Sequence, residues 1–350
     1  MGRAILQIDV EAIKHNAKAL EEFSKKKLMA VVKANAYGMS AKHITKVLET
    51  LNCVDSFAVA CLEEGVELRE MGIKKDILVL GGVMDDEAKD FLEYKLTPVV
   101  SHREHLKALK GLDMKFHVKY DTGMGRLGFV DHTVQDKRIE GLLTHLSCPL
   151  DKDFSLWQIK KFKKIMELYP KVKNVHLESS VGVIYKVPFA THIRVGLAIY
   201  GERPAPNYPI DLKRAITIKA RLISVKHLPA GYPVSYSRTY ITDKTKRVGV
   251  VAFGYADGLS KALSNVGSLY INGVPVRILG NVTMDMTIVD LDGVKAKVGD
   301  WVEIVGPHQS FSELAKLAGT IPYEIMCNIS GRVERILVSN LCTPVGEHRL

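Results

Sequence analysis

The sequence predicts an α/β chain in two parts: a closed (β/α)8 barrel of the TIM type over residues 9–222, then a mainly β domain over 223–350. Three observations carry that prediction. From residue 9 onward, helical periodicity alternates with short apolar runs, eight of them before residue 200. Beyond Arg221 the apolar runs are short and broken by Gly, Asn-Gly and Asp-Gly turns. Polar side chains also fall at the ends of the first eight runs, at Lys33, Lys119, Asp121, His145, Ser179, Ser180 and Arg194. Barrels of this kind place catalysis at strand ends. An open doubly wound sheet is the competing arrangement, and eight strands separated mostly by helices favour closure.

Taken in order, Asp9 is placed to cap a helix whose apolar face is Val10, Ile13, Ala17 and Leu20. The barrel strands are expected at 29–32, 57–60, 77–80, 98–100, 116–120, 141–144, 174–177 and 193–199. Helical segments lie between most of them, at 60–71, 84–94 and 102–109. The clearest helix is 154–169, where Phe154, Trp157, Phe162, Ile165 and Tyr169 form one broad stripe that Pro170 stops. The connection at 126–138 is short and polar, and is the weakest unit of the alternation. In the second part, strands are expected at 248–253, 269–271, 274–279, 286–289 and 302–305. Asn272-Gly273 reads as a hairpin turn, and a helix at 311–318 and a strand at 334–338 complete the domain.

Composition narrows the function classes. A 350-residue chain that is 47% hydrophobic has ample material for a core. The net charge is 49 − 39 = +10, but the lysines spread along helix-like segments such as 25–27 and 160–164. With no basic tail and no aromatic-interleaved patch, this suggests solvated faces and a field favouring anionic small molecules, not nucleic acid. The five cysteines, Cys53, Cys61, Cys148, Cys327 and Cys342, form no close pair and no metal-ligand spacing. They point to a reducing compartment and to no metal. The start, MGRAILQIDV, carries no signal pattern, and no 18-residue apolar run follows. A cytoplasmic protein without a membrane partner is expected.

The segment LMAVVKANAYG at 28–38 puts Lys33 directly after a buried strand interior, with Ala34, Ala36 and Gly38 keeping its surroundings small. An ammonium group is costly to bury unless it is paired or chemically converted. Imine formation with an aldehyde cofactor is one solution, and a lysine snorkelling from a strand end is the other.

The motifs AVVKANAYG at 30–38, VKYDTGMGRLGF at 118–129, THL at 144–146, HLESSVG at 176–182 and RVGLAIYG at 194–201 lie in the first part. VSYSRTY at 234–240, GYADG at 254–258, NVTMD at 281–285 and IPYEIMCNISGRVER at 321–335 lie in the second. In order and spacing the chain resembles the alanine racemase family. The resemblance implies a homodimer with shared active sites that interconverts L- and D-alanine for peptidoglycan by two-base Cα proton transfer. It also implies pyridoxal phosphate held as an imine on Lys33, and an N-terminal strand at 5–8 joining the β domain. Lys33 and Tyr236 match the two catalytic bases, with Tyr236 supplied by the other subunit. His145 and Arg194 match the neighbourhood that stabilises the tyrosine's phenolate, and Arg194 matches the arginine facing the pyridine nitrogen. Tyr37, Ser180, Tyr323 and the amides of Gly196 and Leu197 match the phosphate contacts. Arg126 matches the arginine that contacts the cofactor's phenolic oxygen and the substrate carboxylate. Tyr255, Met284 and Asp285 match residues that the partner subunit places at the substrate entrance and carboxylate site. Lys119 matches a lysine carbamylated in many members, with an unmodified lysine paired to Asp121 as the alternative.

The chain departs from the family's pattern at three points. Glu178-Ser179 stands where Ala-Asn is usual, Thr283 where Cys is common, and Ser237 where Gly follows the catalytic tyrosine. None removes a group the chemistry needs. Glu178 does add a carboxylate near the phosphate end, either neutralised by a neighbour or pointing away. A decarboxylase of the same barrel type sets an acidic residue against the ring nitrogen, which Arg194 opposes. A broad-specificity racemase would keep both bases and widen the pocket, and a non-catalytic cofactor-binding protein would lack the second domain and Tyr236.

Overall fold

The computed structural model describes residues 2–130 and 132–339, and Cys342 lies outside them. The chain forms two compact units, one of residues 13–36 and 41–213, the other of residues 2–12, 37–40 and 214 onward. The first strand, β1 (Ala4–Asp9), belongs to the second unit.

The first unit is a closed parallel barrel of β2 (Lys27–Val31), β3 (Val54–Val59), β4 (Asp76–Val79), β5 (Thr97–Val100), β6 (Phe116–Lys119), β7 (Ile139–Leu143), β8 (Asn174–Glu178) and β9 (His192–Val195). Closure is made by β9 on β2, in register from Lys27↔His192 to Ala30↔Val195. Both faces of these strands are covered, so they read as continuous apolar runs rather than as alternation. Leu28, Ala30, Phe57, Ile77, Val99, Phe116, Leu142 and Ile193 are all fully buried. Asp9 caps the following helix, Val10–Ser24, by accepting the amides of Glu11 and Ala12, each at 3.0 Å. Among the described residues no helix bridges β6 and β7, the weak unit anticipated at 126–138.

The structure corrects several expectations within this unit. The eighth strand stops at Val195, and Leu197–Tyr200 is a 3-10 turn rather than more strand, because the chain breaks direction at Gly196. The long helix runs Lys152–Met166, capped by Asp151 accepting from the Phe154 amide at 3.0 Å. Its apolar stripe is only partly the buried face, with Phe162 covered and Phe154, Ile165 and Tyr169 half-buried. Ser155, Gln158 and Phe162 face inward, while Trp157 is 50% exposed, stacked on Phe154 with the Lys161 ammonium over its ring.

In the second unit, β10 (Ile216–Leu228) is the organising strand. The others are β11 (Pro233–Val234), β12 (Tyr240–Ile241), β13 (Lys246–Val251), β14 (Ser268–Ile271), β15 (Val274–Arg277), β16 (Thr287–Asp290), β17 (Trp301–Val305) and β18 (Glu334–Val338). The main path is β15-β14-β17-β10-β1-β18, with β13 joined to β10 and β16 to β13. The expected boundary after residue 222 runs through the middle of β10. β1 pairs antiparallel with β10 and parallel with β18, which places the anticipated 5–8 strand inside this sheet. Asn272 and Gly273 both have positive φ, 51° and 80°, as a tight hairpin turn between β14 and β15 requires. Among the described residues no helix is long and apolar enough to cross a membrane, and no cluster of side chains is suited to a metal ion.

Candidate active site

At the barrel's strand ends, Arg194 on β9 is the centre of a buried hydrogen-bonded chain. Its Nη1 donates to His176 Nδ1 and to the His176 carbonyl, each at 2.7 Å. Its Nη2 donates to the Thr144 carbonyl at 2.7 Å and to His145 Nδ1 at 3.0 Å. A guanidinium only donates, so both histidines accept through Nδ1 and carry their proton on Nε2. His176 Nε2 then donates to His117 Nδ1 at 2.9 Å. Burial first, and the Arg194 charge after it, holds His145 at about 3 and His176 well below the ordinary histidine range. Burial, His192 and Arg194 bring His117 to about 3. Burial also lowers Arg194 to about 10, against the pull of Glu178, so it stays the cation of the group. With both Nη atoms engaged, Nε is the arginine's remaining donor.

Lys33 follows β2 at the rim, half-buried, and leads into an unusual turn. Ala34, Asn35, Ala36 and Tyr37 all lie in the left-handed region, with φ between 52° and 57°. The turn is tied by Ala36 N to the Val32 carbonyl at 2.8 Å and by Asn35 Oδ1 to the Ala41 amide at 2.7 Å.

Lys119 ends β6 with its side chain buried. Burial, followed by repulsion from Arg194 and Arg126, lowers its amine to about 8, with Asp121 acting the other way. Among the described residues no ion pair joins it to Asp121, whose charge acts on it from farther off. Instead the Asp121 carboxylate accepts the amides of Gly123, Met124 and Arg126 at 2.9, 2.7 and 2.9 Å. That cap shapes the glycine loop carrying Arg126, whose side chain is exposed.

Ser180, just past β8, is buried, and its hydroxyl accepts the amides of Gly196 at 3.1 Å and Ala198 at 3.3 Å. Its own proton stays available to an acceptor. Glu178 is fully buried and forms a close ion pair with Lys26, while its other oxygen accepts the Val187 amide at 2.8 Å. The extra carboxylate is therefore neutralised by a neighbour, one of the two resolutions expected. Burial still outweighs Lys26 and raises its pKa.

The second unit carries the remaining residues. The Tyr37 ring packs against Tyr323 with centroids 5.8 Å apart, bringing two hydroxyl-bearing rings together. Gly38 is required beside them: its φ is +78°, and a Cβ there would sit 2.4 Å from the Met326 carbonyl. Arg335 fixes this corner by donating to the carbonyls of Gly38 and Ile329, each at 2.7 Å.

Tyr236 is 73% exposed on a loop where Ser235, Ser237 and Arg238 all have positive φ. Asn281 holds that loop. Its Nδ2 donates to the Tyr236 carbonyl at 2.8 Å, and its carbonyl accepts the Ser235 hydroxyl at 2.6 Å. Tyr255 and Met284 are brought side by side by backbone bonds from Tyr255 N to the Thr283 carbonyl and from Ala256 N to the Met284 carbonyl, both 3.0 Å. Thr283, the departure from the family pattern, closes its own turn by donating to the Met286 carbonyl at 2.8 Å. Asp285 accepts from Arg332 at 2.8 Å, and the same guanidinium reaches Asp257 at 3.3 Å.

Reading the sequence site by site missed the supporting residues. His117 and His176 stand in the sequence only as strand or motif positions, although a histidine inside an apolar barrel strand signals a buried partner. Gln158 also went unnoticed: it donates to the His145 carbonyl at 3.2 Å and accepts the Ser147 amide at 3.0 Å, steadying the loop after β7.

Comparison with known proteins agrees with this geometry. Residues 8–204 match the family described as alanine racemase, N-terminal domain, and residues 215–337 match alanine racemase, C-terminal domain. The chain is 61% identical to the alanine racemase of Aquifex aeolicus, over 97% of this chain and 100% of that protein. It is 59% identical to the alanine racemase of Aquifex pyrophilus, over 97% and 99%. Among solved structures, alanine racemase from Bartonella henselae with covalently bound pyridoxal phosphate superposes with a TM-score of 0.88 at 29% identity, covering 97% of this chain and all of that one. Alanine racemase from Bacillus anthracis with bound L-Ala-P gives a TM-score of 0.88 at 30% identity, over 97% and 96%.

Proposed function

The chain belongs to the alanine racemase family, and from that premise we infer how its residues interconvert L- and D-alanine with pyridoxal phosphate, supplying D-alanine for peptidoglycan. The donor set fits the cofactor. The remaining N–H of Arg194 suits an acceptor ring nitrogen, the Ser180 hydroxyl proton suits a phosphate oxygen, and Lys33 supplies the amine for the aldehyde carbon. When bound, pyridoxal phosphate withdraws electron density from the substrate Cα and so makes its proton removable.

The residues of this chain supply the rest. Lys33 Nζ takes or delivers the Cα proton on one face. Tyr236 of the partner subunit does the same on the other, and one base on each face is what inversion needs. In the L-to-D direction the tyrosine removes the proton and Lys33 delivers one, and the roles reverse from D to L. His145, neutral with its proton on Nε2, offers a hydrogen bond to that phenolate, and Arg194 adds positive charge. Arg194, set against the ring nitrogen of a bound cofactor, would keep it unprotonated, which would weaken the electron sink and limit side reactions. Tyr37, Tyr323, Ser180 and the amides of Gly196 and Leu197 anchor the phosphate. Arg126 and the partner subunit's Asp285 frame the substrate carboxylate, while the partner's Tyr255 and the partner's Met284 narrow the space to a methyl group.

The single observation that carries this reading is the Arg194 chain, which leaves Nε of a buried cation free for an acceptor while keeping His145 neutral. The homodimer rests on a separate fact: Tyr236, Tyr255 (45% exposed), Met284 (53%) and Met286 lie uncovered on the second unit, the surface a second copy would bury. Lys119 is read as carbamylated. Its neutral amine attacks CO2, an N–C bond forms and a proton is released, leaving an anion between Arg126 and Arg194. Location in the cytoplasm is supported by the exposed thiols Cys61 and Cys148, which are in no disulfide.

The test is an absorption spectrum together with chiral analysis after incubation with L-alanine, L-serine and L-lysine. A cofactor band that disappears in Lys33→Ala, with D-alanine as the dominant product, is expected. A band with no racemised product overturns the reading, and faster turnover of serine or lysine overturns the substrate.

A further inference from the structure

We propose that Glu64 is a positioning residue for Lys33, acting through the left-handed turn that follows it; this rests on Lys33 being the cofactor lysine. Four successive residues without a glycine, Ala34 to Tyr37, have φ of 52°, 52°, 54° and 57°. Each is disfavoured for an L-residue, because Cβ crowds the next carbonyl. Such a turn persists only where its surroundings hold it, and conformations of this kind gather at functional sites.

The strongest hold on its first residue is Glu64. Oε1 accepts the Ala34 amide at 2.6 Å, and Oε2 accepts the Ala60 amide at 2.7 Å. Ala34 follows β2 and Ala60 follows β3, neighbours in the barrel whose last rungs include Val31↔Ala58. One carboxylate thus ties the exits of two adjacent strands together, and Val32 and Lys33 are the residues between strand and tie.

An acidic residue in the first turn of a helix has an ordinary role, and Glu64 lies in the first turn of Leu62–Glu70. That role accounts for the Ala60 contact, which precedes the same helix. It does not account for the Ala34 contact, 30 residues earlier in the chain. Nor is the carboxylate engaged elsewhere: among the described residues it makes no ion pair, and both its oxygens go to backbone amides. Hydrogen bonds to an ionised acceptor are roughly twice as strong as neutral ones, which suits a contact that must hold strained backbone. The carboxylate touches no reacting atom in this reading; it sets the direction in which Lys33 leaves the strand.

The experiment compares the pyridoxal phosphate-loaded protein with Glu64→Gln, Glu64→Asp and Glu63→Gln, the last an exposed neighbour. Three quantities are read: the pH titration of the Lys33-linked cofactor band, the rate of cofactor release, and the thermal midpoint. Glu64→Gln keeps one acceptor but turns its amide nitrogen toward a backbone N–H. It should release cofactor at least about tenfold faster, equivalent to about 1.4 kcal/mol, and move the band's titration midpoint. Glu64→Asp, too short to span both amides, should do the same, whereas Glu63→Gln should match the parent. If the Gln and Asp variants lose thermal stability while band titration and release stay at parent values, Glu64 is only structural and the proposal is overturned. If both variants fail to fold and load, it is also overturned, since the carboxylate then serves the barrel as a whole. Lys33→Ala separates the two levels: a surviving covalent band there discards the lysine assignment, not the carboxylate's contact with Ala34.

Discussion

Arg194 donates to His176 Nδ1 at 2.7 Å, and that contact propagates a fixed protonation through the barrel interior. His176 must carry its proton on Nε2, which donates to His117 Nδ1 at 2.9 Å. A second proton on either ring would set N–H against N–H at these distances. The arrangement holds one permanent cation and two neutral imidazoles in line, with His145 neutral on the arginine's other side.

The same arrangement makes the fold sensitive to acid. His117 and His145 sit at about 3 when folded, against about 6.5 for an unperturbed histidine. His117 is surrounded by His176, His192 and Arg194, and His145 by Arg194, Lys119, Arg126 and Lys33. A lowered folded pKa means that between these limits the unfolded chain binds more protons, so stability rises with pH and is lost as pH falls. Each histidine should contribute a slope of about 1.4 kcal/mol per pH unit below 6.5. Urea unfolding at pH 7, 6 and 5 reads it, and a midpoint that does not move over this interval contradicts the buried neutral chain.

Lys26 and Glu178 offer a second test. The pair lies in the barrel with Glu178 fully buried, and the carboxylate also accepts the Val187 amide. Lys26→Met leaves that charge without its partner and should cost about 3–5 kcal/mol. Adding Glu178→Gln removes the charge but keeps an acceptor for Val187, and should restore most of the loss. Chemical denaturation of the single and double variants measures both. A double variant no better than the single would show that the pair's attraction, not the stranded charge, dominates.

Much of this was legible in the sequence because parallel barrel strands are buried on both faces. Their apolar runs, such as 29–32 and 77–80, stand out between amphipathic helices without further context. The turn after Lys33 was not legible: Ala34, Asn35 and Ala36 carry no glycine, and only contacts such as Glu64 with Ala34 make a left-handed path tolerable. β10 is cut by the expected boundary because its outer half, with Lys226 and His227 exposed and only Leu228 buried, reads as polar. The Phe154–Trp157 pair misled for the opposite reason. An aromatic stripe at helical spacing looked like core, but Gln158 is the residue turned inward to bond the loop at His145. Lys33, Arg194 and Ser180 are singled out by their motifs, whereas His176 and Gln158 act only through residues 11 or more positions away in the chain.

Lys119 should respond to CO2 in a pH-dependent way. Its amine is brought to about 8 by burial and by Arg194 and Arg126, so a substantial neutral fraction exists just above neutrality. Only the neutral amine attacks CO2. Carbon-13 bicarbonate should therefore give a carbamate resonance at pH 8.5 that fades toward pH 6 and is missing in Lys119→Arg. A resonance that persists in the arginine variant would assign it to another amine.

Asn281 should govern the tyrosine's proton transfer more than the lysine's. Its side chain holds the Tyr236 carbonyl at 2.8 Å, in a loop where the neighbours Ser235 and Ser237 occupy disfavoured backbone. Asn281→Ala frees that carbonyl and lets the phenol wander from its working position. Positioning losses of this size commonly cost about tenfold to a hundredfold in kcat/KM. L- and D-alanine have equal free energy, so kcat/KM must fall by the same factor from both sides, and rates alone cannot locate the fault. Isotope effects can. If Tyr236 removes the proton from L-alanine, its step becomes more limiting, and the effect measured with α-deuterated L-alanine should rise. With α-deuterated D-alanine, where Lys33 acts first, the effect should fall. Equal changes from both substrates would mean that Asn281 supports the domain as a whole and leaves the tyrosine's transfer untouched.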